Sequence, residues 1–223
     1  MGLDMRPMGK PKSGKERRFL EIYEMVSTDK IPKPSFIGKL KGEKSPTKEE
    51  LLDEWYAIQI PTYETLKSPR VGSDLEADNW IKQKYDEMEE KPPLEEFLES
   101  YKGYYVIELS KELDGVPMYM AMGQDENVFR GQFLRDCSGI ISEDLISEAW
   151  ETKMATETLD YGNRLLTATE ELAKQHGLET LKEVRIPPDV DEDRIESKLH
   201  ILYSLSKWLI FYGKNGHGYE ADF

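Results

Sequence analysis

Residues 104–141, YYVIELSKELDGVPMYMAMGQDENVFRGQFLRDCSGII, decide the fold. They contain two runs rich in β-branched, aromatic and other apolar residues, 104–109 and 116–122, and Asp114 and Gly115 lie between the runs. Asp and Gly tolerate the positive φ angles of tight turns, so this pattern predicts an antiparallel hairpin. Two strands alone are marginally stable in water. We therefore expect helices to cover one face of the hairpin.

A helix is predicted directly after the hairpin. Phe129, Phe133, Cys137 and Ile141 recur every four residues and would form one apolar stripe on a helix. Asn127 is the candidate N-cap of this helix. Together these elements predict an α+β fold that is predominantly helical, with a small antiparallel hairpin or sheet packed against helices.

Further helices are predicted on both sides of this stretch. A Ser or Thr followed three residues later by Glu is a capping-box signature, and it occurs at Ser13, Thr47 and Ser73. A long helix is expected at about 156–175, with Gly177 as its C-cap. The most apolar helix is expected within 191–212, where apolar residues extend beyond one stripe and indicate burial on several sides.

The predicted organisation is one α+β domain, residues 15–212, between two extensions. Residues 1–14 combine Gly and Pro with Lys and Arg, which indicates a basic N-terminal arm. Residues 213–223, GKNGHGYEADF, are rich in Gly and are expected to form a flexible C-terminal tail.

Charge is unevenly distributed along a chain of net charge −14. Residues 1–48 hold 12 Lys and Arg against 6 Asp and Glu, whereas residues 49–223 hold 18 against 38, giving +6 and −20. An acidic surface repels phosphate backbones, which disfavours nucleic acid as a partner, and it attracts cationic proteins. Acidity that serves solubility alone is the alternative explanation.

The most acidic segment is 74–99, which contains ten Asp and Glu and three Lys on two predicted helices. The candidate interaction face consists of its Asp74, Glu76, Asp78, Asp86, Glu87, Glu89 and Glu90. We expect this face to bind a basic protein partner. A DNA mimic is an alternative, and it would require carboxylates spaced like phosphates.

Compartment and membrane contact are also constrained by the sequence. No window approaches the eighteen apolar residues of a transmembrane helix, and residues 1–14 lack the apolar region of a secretory signal. One cysteine cannot form an internal disulfide. We therefore expect a cytoplasmic protein that makes no membrane contact.

The sequence contains no cofactor fingerprint, and we expect neither a cofactor nor a metal. His176, His200 and His217 are too far apart to form a local metal-binding pair. Cys137 shares the predicted apolar stripe, and the preceding Asp136 disfavours a thiolate beside it. A core cysteine is therefore expected rather than a nucleophile.

One group of polar residues offers an enzymatic alternative. The candidate binding residues are Arg130, Asp160, Tyr161, Asn163 and Arg164. Gly162 lies among them, and Gly in a helix interior costs roughly 1 kcal/mol relative to Ala. That cost indicates either close backbone packing, the commoner cause, or a pocket formed with residues distant in sequence.

Three short segments resemble a loose set of bacterial and phage proteins for which no activity is established. They are Met1-Gly2-Leu3-Asp4-Met5, Phe129-Arg130-Gly131-Gln132-Phe133-Leu134 and Leu159-Asp160-Tyr161-Gly162-Asn163. The resemblance implies an accessory protein of phage or mobile DNA and no particular activity. Together with the acidic charge, it favours a non-enzymatic binding protein, of the kind that inhibits a toxin or a defence nuclease.

Overall fold

The computed structural model describes residues 2–31, 45–106, 109, 120–122, 127–184, 187–191 and 193–223. The chain forms two compact units. The larger unit comprises Met1–Met8 and Thr62–Phe223, and the smaller unit comprises Gly9–Pro61. The predicted α+β class with mainly helical content is confirmed.

Helices outnumber strands in the described part of the chain. The helices are α1 (Glu16–Ser27), α2 (Lys48–Ala57), α3 (Thr62–Leu66), α4 (Leu75–Glu87), α5 (Leu94–Ser100), α6 (Glu143–Ser147), α7 (Ala155–His176) and α8 (Ile195–Lys214). The strands are β1 (Asp4–Pro7), β2 (Lys10–Pro11), β3 (Gln59–Ile60), β4 (Met120–Met122), β5 (Asn127–Arg130) and β6 (Tyr219–Asp222). Short 3₁₀ helices span Gly131–Cys137, Glu148–Trp150 and Glu179–Glu183.

The larger unit is built on an antiparallel sheet in the order β4-β5-β1-β6. Its inner strand β1 pairs with β5 through Met5 and Phe129, and with β6 through Met5 and Ala221. Leu3 and Met5 are buried and alternate with the half-buried Asp4. This period of two is the pattern of a strand with one face against a core.

The structure differs from the predicted basic arm at 1–14 and flexible tail at 213–223. Residues 4–7 and 219–222 of those segments are neighbouring strands of the sheet. Tyr219 is buried, and it exchanges backbone hydrogen bonds of 2.9 and 3.0 Å with Lys153. Gly and charged residues are frequent in both segments, so the short strand patterns were not recognised in the sequence. Each strand pairs with residues at the other end of the chain.

Helix α8 is the centre of the main core. Fourteen of its twenty residues are buried, as the sequence predicted for a helix surrounded on several sides. It packs on α7 at two glycines. A Cβ at Gly162 would lie 2.8 Å from Leu209 Cβ, and one at Gly213 would lie 2.7 Å from the backbone nitrogen of Leu159. The role of Gly162 is therefore close helix packing.

Local signals predicted several helix ends correctly. Thr47 and Glu50 form the predicted reciprocal capping box of α2. Gly177 ends α7 in the left-handed conformation, with φ of 68°. At Ser13 and Ser73 the prediction was wrong, because the N-caps of α1 and α4 are Lys15 and Asp74 and neither makes a side-chain capping bond.

The prediction of a helix after Asn127 was also wrong. Residues 127–130 form strand β5, and a 3₁₀ helix follows at 131–137. Phe129 is drawn into the sheet opposite Met5, and the Gly131 N–H then donates to the Leu3 carbonyl over 2.8 Å. The predicted turn at Asp114 and Gly115 lies outside the described residues. Within the predicted second strand, residues 120–122 pair with β5.

The smaller unit contains α1, α2 and the short paired strands β2 and β3. Phe19 stacks on Trp55 with ring centroids 5.0 Å apart. Arg18 Nε donates to Glu54 Oε1 over 2.7 Å and joins the same two helices. Among the described helices of both units, none has an apolar stretch long enough to cross a membrane.

Gly213→Ala is predicted to lower the free energy of unfolding by about 1–3 kcal/mol, measured by urea denaturation. The new methyl group would meet the Leu159 backbone, which yields only if the two helices separate. This cost outweighs the roughly 1 kcal/mol by which Ala is favoured over Gly in a helix. Asn163→Ala, on the exposed face of α7, is the control and should not lower stability, because Ala is favoured over Asn in a helix by up to about 0.7 kcal/mol. An unchanged or increased stability of Gly213→Ala would contradict the close contact between α7 and α8.

Candidate functional site

The most acidic segment folds as a helical pair, residues 69–106, which we call the acidic module. Backbone hydrogen bonds close its base, where the Val106 N–H donates to the Pro69 carbonyl and the Val71 N–H donates to the Tyr104 carbonyl, both over 2.8 Å. Helices α4 and α5 lie between these closing segments. The module is therefore a loop of chain whose two ends are held together.

A small core of its own holds the acidic module together. Its buried members are Val71, Ala77, Ile81, Phe97 and Val106, with half-buried aromatic residues packed against them. This cluster is separate from the main core around α8. The outer sides of α4 and α5 are largely, though not entirely, polar.

The seven carboxylates of the predicted acidic face fall into three groups by their contacts. Asp74 and Asp78 accept backbone hydrogen bonds of 2.7 Å from Arg70 and Gly72, so they fix the loop before α4. Asp86 and Glu87 lie 3.9 and 3.8 Å from lysine ammonium groups of the same module. The remaining three, Glu76, Glu89 and Glu90, are exposed, and so are Glu95 and Glu96, which were not part of the predicted face. No hydrogen bond or ion pair with a described residue engages these five carboxylates.

Two of the four lysines in the module lie against aromatic rings. The Lys84 ammonium is 5.6 Å from the centre of the Trp80 ring, and that of Lys91 is 5.5 Å from the Tyr85 ring. Such cation–π contacts hold a positive charge close to the protein body. The positive charges of these two lysines are therefore held against the module, and its segment 74–99 carries ten acidic residues against three lysines.

Exposed apolar side chains are interspersed with these carboxylates. Leu75, Met88 and Leu94 have 73%, 37% and 43% of their surface exposed. They are three of the six large apolar side chains exposed in the described part of the larger unit. Each of the three directly precedes an exposed glutamate in the sequence, namely Glu76, Glu89 and Glu95.

Two open cavities flank the module. One, of about 720 Å³, lies beside the start of α4 and includes Lys67, Asp74, Leu75 and Glu76 in its lining. The other, of about 620 Å³, is a groove between α4 and α5. Both volumes lie within the range of about 300–1,000 Å³ typical of ligand sites. Neither cavity is lined by any of the five residues of the predicted polar site.

The structure separates one residue of the predicted polar site from the others. Arg130 lies in β5, with its Nε 3.5 Å from Asp4 Oδ1. Asp160, Tyr161, Asn163 and Arg164 lie together on α7. The Asn163 side chain is exposed, whereas the Tyr161 ring is buried and its hydroxyl donates to the Leu145 carbonyl over 2.7 Å.

Arg164 and its neighbours form an ion-pair network. The guanidinium donates to both Glu148 oxygens, over 2.6 and 2.7 Å, and to Asp160 over 2.7 Å. Lys153, which is 8% exposed, lies 3.3 Å from the same Glu148 and 5.6 Å from the Tyr161 ring centre. The network ties α7 to the preceding 3₁₀ helix.

Sequence reasoning did not identify Glu148 and Lys153 as members of this network. Glu148 is sixteen residues from Arg164, and no local spacing indicates that they meet. The bidentate hydrogen bond from Arg164 lowers the pKa of Glu148 below its ordinary value of 4.5. Burial raises the pKa of the Tyr161 phenol, so this tyrosine is a poor proton donor at neutral pH.

Cys137 is a core residue, as predicted. It is fully buried, and its thiol lies 3.5 Å from the Lys198 carbonyl. Burial, with the neighbouring charge of Asp136, raises its pKa to about 12. Nucleophilic cysteines need a lowered pKa and access to solvent.

Across the described ranges there is no group of three or more His, Cys, Asp or Glu that could hold a metal ion.

Comparison with protein families, curated protein sequences and solved structures found no match for this chain.

Glu148→Gln is predicted to lower the free energy of unfolding most at neutral pH, with urea denaturation as the measurement. A carboxyl group whose pKa is lower in the folded state stabilises the fold above its unfolded pKa, near 4.5 for this glutamate, and this contribution disappears as pH falls through the folded pKa. The difference from the native protein should therefore shrink below pH 4.5. Glu171→Gln, at an exposed position, should show no such trend. A difference constant with pH would contradict the proposed coupling.

The Cys137 thiol is predicted not to react with a disulfide reagent such as Ellman's reagent in the folded protein at pH 8. The thiolate is the reactive form, and a buried thiol with a pKa of about 12 supplies very little of it. In denaturant one thiol per chain should react rapidly, because this is the single cysteine. Rapid reaction without denaturant would show that the thiol is accessible and activated.

Proposed function

We propose that the chain is a non-enzymatic binding protein whose acidic module engages a basic protein partner. The observation that carries this proposal is the exposed surface of α4, α5 and the loop 88–93 between them. Five exposed glutamates there have no ion-pair partner among the described residues, and each of three exposed apolar side chains directly precedes one of these glutamates in the sequence. Carboxylates steer a cationic partner to the surface, and apolar contacts then slow its release.

Repulsion among the carboxylates of the acidic module supports a binding role. Exposed ion pairs contribute only about 0–1 kcal/mol, so the module gains little stability by pairing its carboxylates internally. Like charges on one surface repel one another, however, and a basic partner relieves that repulsion. A surface that serves solubility alone requires charge but has no need for exposed Leu75, Met88 and Leu94 beside it.

The enzymatic alternative receives less support from the same geometry. Arg164 and Asp160 are bonded to each other, Tyr161 is buried, and Arg130 is paired with Asp4 in the sheet. These contacts account for the side chains without a substrate.

An inhibitor of a toxin or of a defence nuclease, as an accessory protein of phage or mobile DNA, is the form of binding protein we favour. The buried, unbridged Cys137 accords with a cytoplasmic setting.

Neutralising four module carboxylates is predicted to weaken capture of the partner about tenfold. The variant is Glu76→Gln, Glu89→Gln, Glu90→Gln and Glu96→Gln combined, and each exposed charge is worth roughly 0.3–0.5 kcal/mol. The immobilised protein is incubated with bacterial lysate at about 0.05 M and about 0.5 M NaCl, and retained proteins are quantified by mass spectrometry. High salt should screen the contact and also reduce retention.

The matched control removes the same number of charges outside the module. Glu171→Gln, Glu179→Gln, Glu183→Gln and Asp189→Asn replace exposed carboxylates of the larger unit with no described ion pair. This variant should keep its partner within about twofold. Equal loss in both variants would show that only net charge matters, and the absence of any protein depleted by the first variant alone would overturn the proposal. Competition by duplex DNA would identify the partner as a DNA-binding protein and support mimicry.

A further inference from the structure

The groove between α4 and α5 combines an apolar lining with acidic edges. Val71, Ile81 and Leu98 are its apolar residues, and the first two are almost completely buried beneath it. Its volume of about 620 Å³ exceeds that of any single side chain. Because the lining is partly apolar, an occupant with an apolar portion suits it, and the groove is large enough for a long side chain together with the backbone that carries it.

Three carboxylates line the same groove. Asp78 comes from α4, and Glu95 and Glu99 come from α5. No hydrogen bond or ion pair with a described residue occupies the Glu95 carboxylate. One Asp78 oxygen accepts from the Gly72 N–H over 2.7 Å, which leaves the other oxygen as an acceptor. The groove thus offers acceptors from both helices to a donor placed between them.

Two lysines also line the groove, and their charges must be weighed. The Lys102 ammonium lies 3.1 and 3.2 Å from the two Glu99 oxygens, so its charge is already compensated. Both side chains of that pair are more than 60% exposed, and such a pair is readily exchanged. When this pair is set aside, the lining contains one positive charge, on Lys82, and two negative charges, on Asp78 and Glu95. The lining therefore has a net negative charge. The surrounding segment 74–99 adds to it, with ten acidic residues and three lysines.

We propose that this groove binds an arginine side chain of the basic partner, an inference that rests on the proposed function. The aliphatic part of arginine lies on the apolar lining, as long basic side chains do on other apolar surfaces. Its planar guanidinium carries five donors and suits carboxylates that approach from two directions. Lysine presents a more strongly hydrated point charge, so arginine is the preferred occupant.

The test uses nitrogen-15-labelled full-length protein and two peptides that differ in one charge. The probes are acetyl-Gly-Arg-Gly-amide and the same peptide with citrulline, the neutral isostere of arginine. The arginine peptide should shift the amide resonances of Gly72, Asp78, Glu95 and Glu99 in a saturable manner. The citrulline peptide should bind at least about tenfold more weakly, since each tenfold corresponds to about 1.4 kcal/mol and charged hydrogen bonds are worth about that or more.

Variants connect the signal to the groove. Glu95→Gln with Glu99→Gln should weaken binding of the arginine peptide about tenfold, whereas Glu76→Gln with Glu96→Gln, outside the groove lining, should leave it within about twofold. The spectra themselves report that each variant is folded. Equal binding of both peptides, shifts spread over the whole acidic surface, or equal effects of the two variants would overturn the groove as an arginine site.

Failure of the groove and failure of the proposed function give different results. Suppose that the Glu95→Gln and Glu99→Gln variant retains the lysate partner while the four-carboxylate variant of the module loses it. The acidic module then binds a partner without using the groove, and only the arginine proposal falls. If the four-carboxylate variant retains all partners but the arginine peptide still binds in the groove, the basic-partner function falls.

Discussion

The close approach of α7 to α8 is the constraint on which the rest of the larger unit depends. At Gly162 and at Gly213 the neighbouring helix occupies the space that a side chain would need. Helix α7 thus covers one side of α8. The sheet and the 3₁₀ helix 131–137 cover other parts of α8 through Phe129, Leu134 and Cys137. The helix that was most apolar in the sequence thereby finds apolar neighbours on several sides. Interiors are packed as tightly as crystals of small molecules, so this arrangement tolerates little change in volume.

In the acidic module, the residues that form the core differ from those that carry most of the surface charge. Its small core is separate from the main one, and its helices expose carboxylates that contribute nothing to that core. Only Asp74 and Asp78 have a fixed structural task, since their carboxylates receive the N–H groups of the loop that precedes α4. Stability and surface charge are therefore carried by different residues of the same segment, 69–106. This separation lets the outer residues change with little effect on the fold, which suits a surface that must match a partner.

The features that were predictable from sequence are those encoded by neighbours along the chain. The Thr47 capping box, the Gly177 C-cap and the buried helix 195–214 each depend on residues within a few turns. The acidic segment was visible for the same reason. By contrast, the pairing of β1 with β6, the bond between Arg164 and Glu148, and the strand at 127–130 depend on contacts between distant residues. A stripe of Phe129, Phe133 and Cys137 fits a helix locally, and only the pairing of Phe129 with Met5 decides in favour of a strand.

The position of β1 has a consequence for the order of folding. This strand lies between β5 and β6, so one of its two flanks is formed by residues that the ribosome adds long after residues 4–7 have emerged. Until then the strand exposes an unpaired row of backbone N–H and C=O groups together with Leu3 and Met5. Joining such distant residues requires closure of a very long loop, which slows folding. The completed sheet is accordingly a late event in folding, because it cannot close before residues 219–222 are available to pair with residues 4–7.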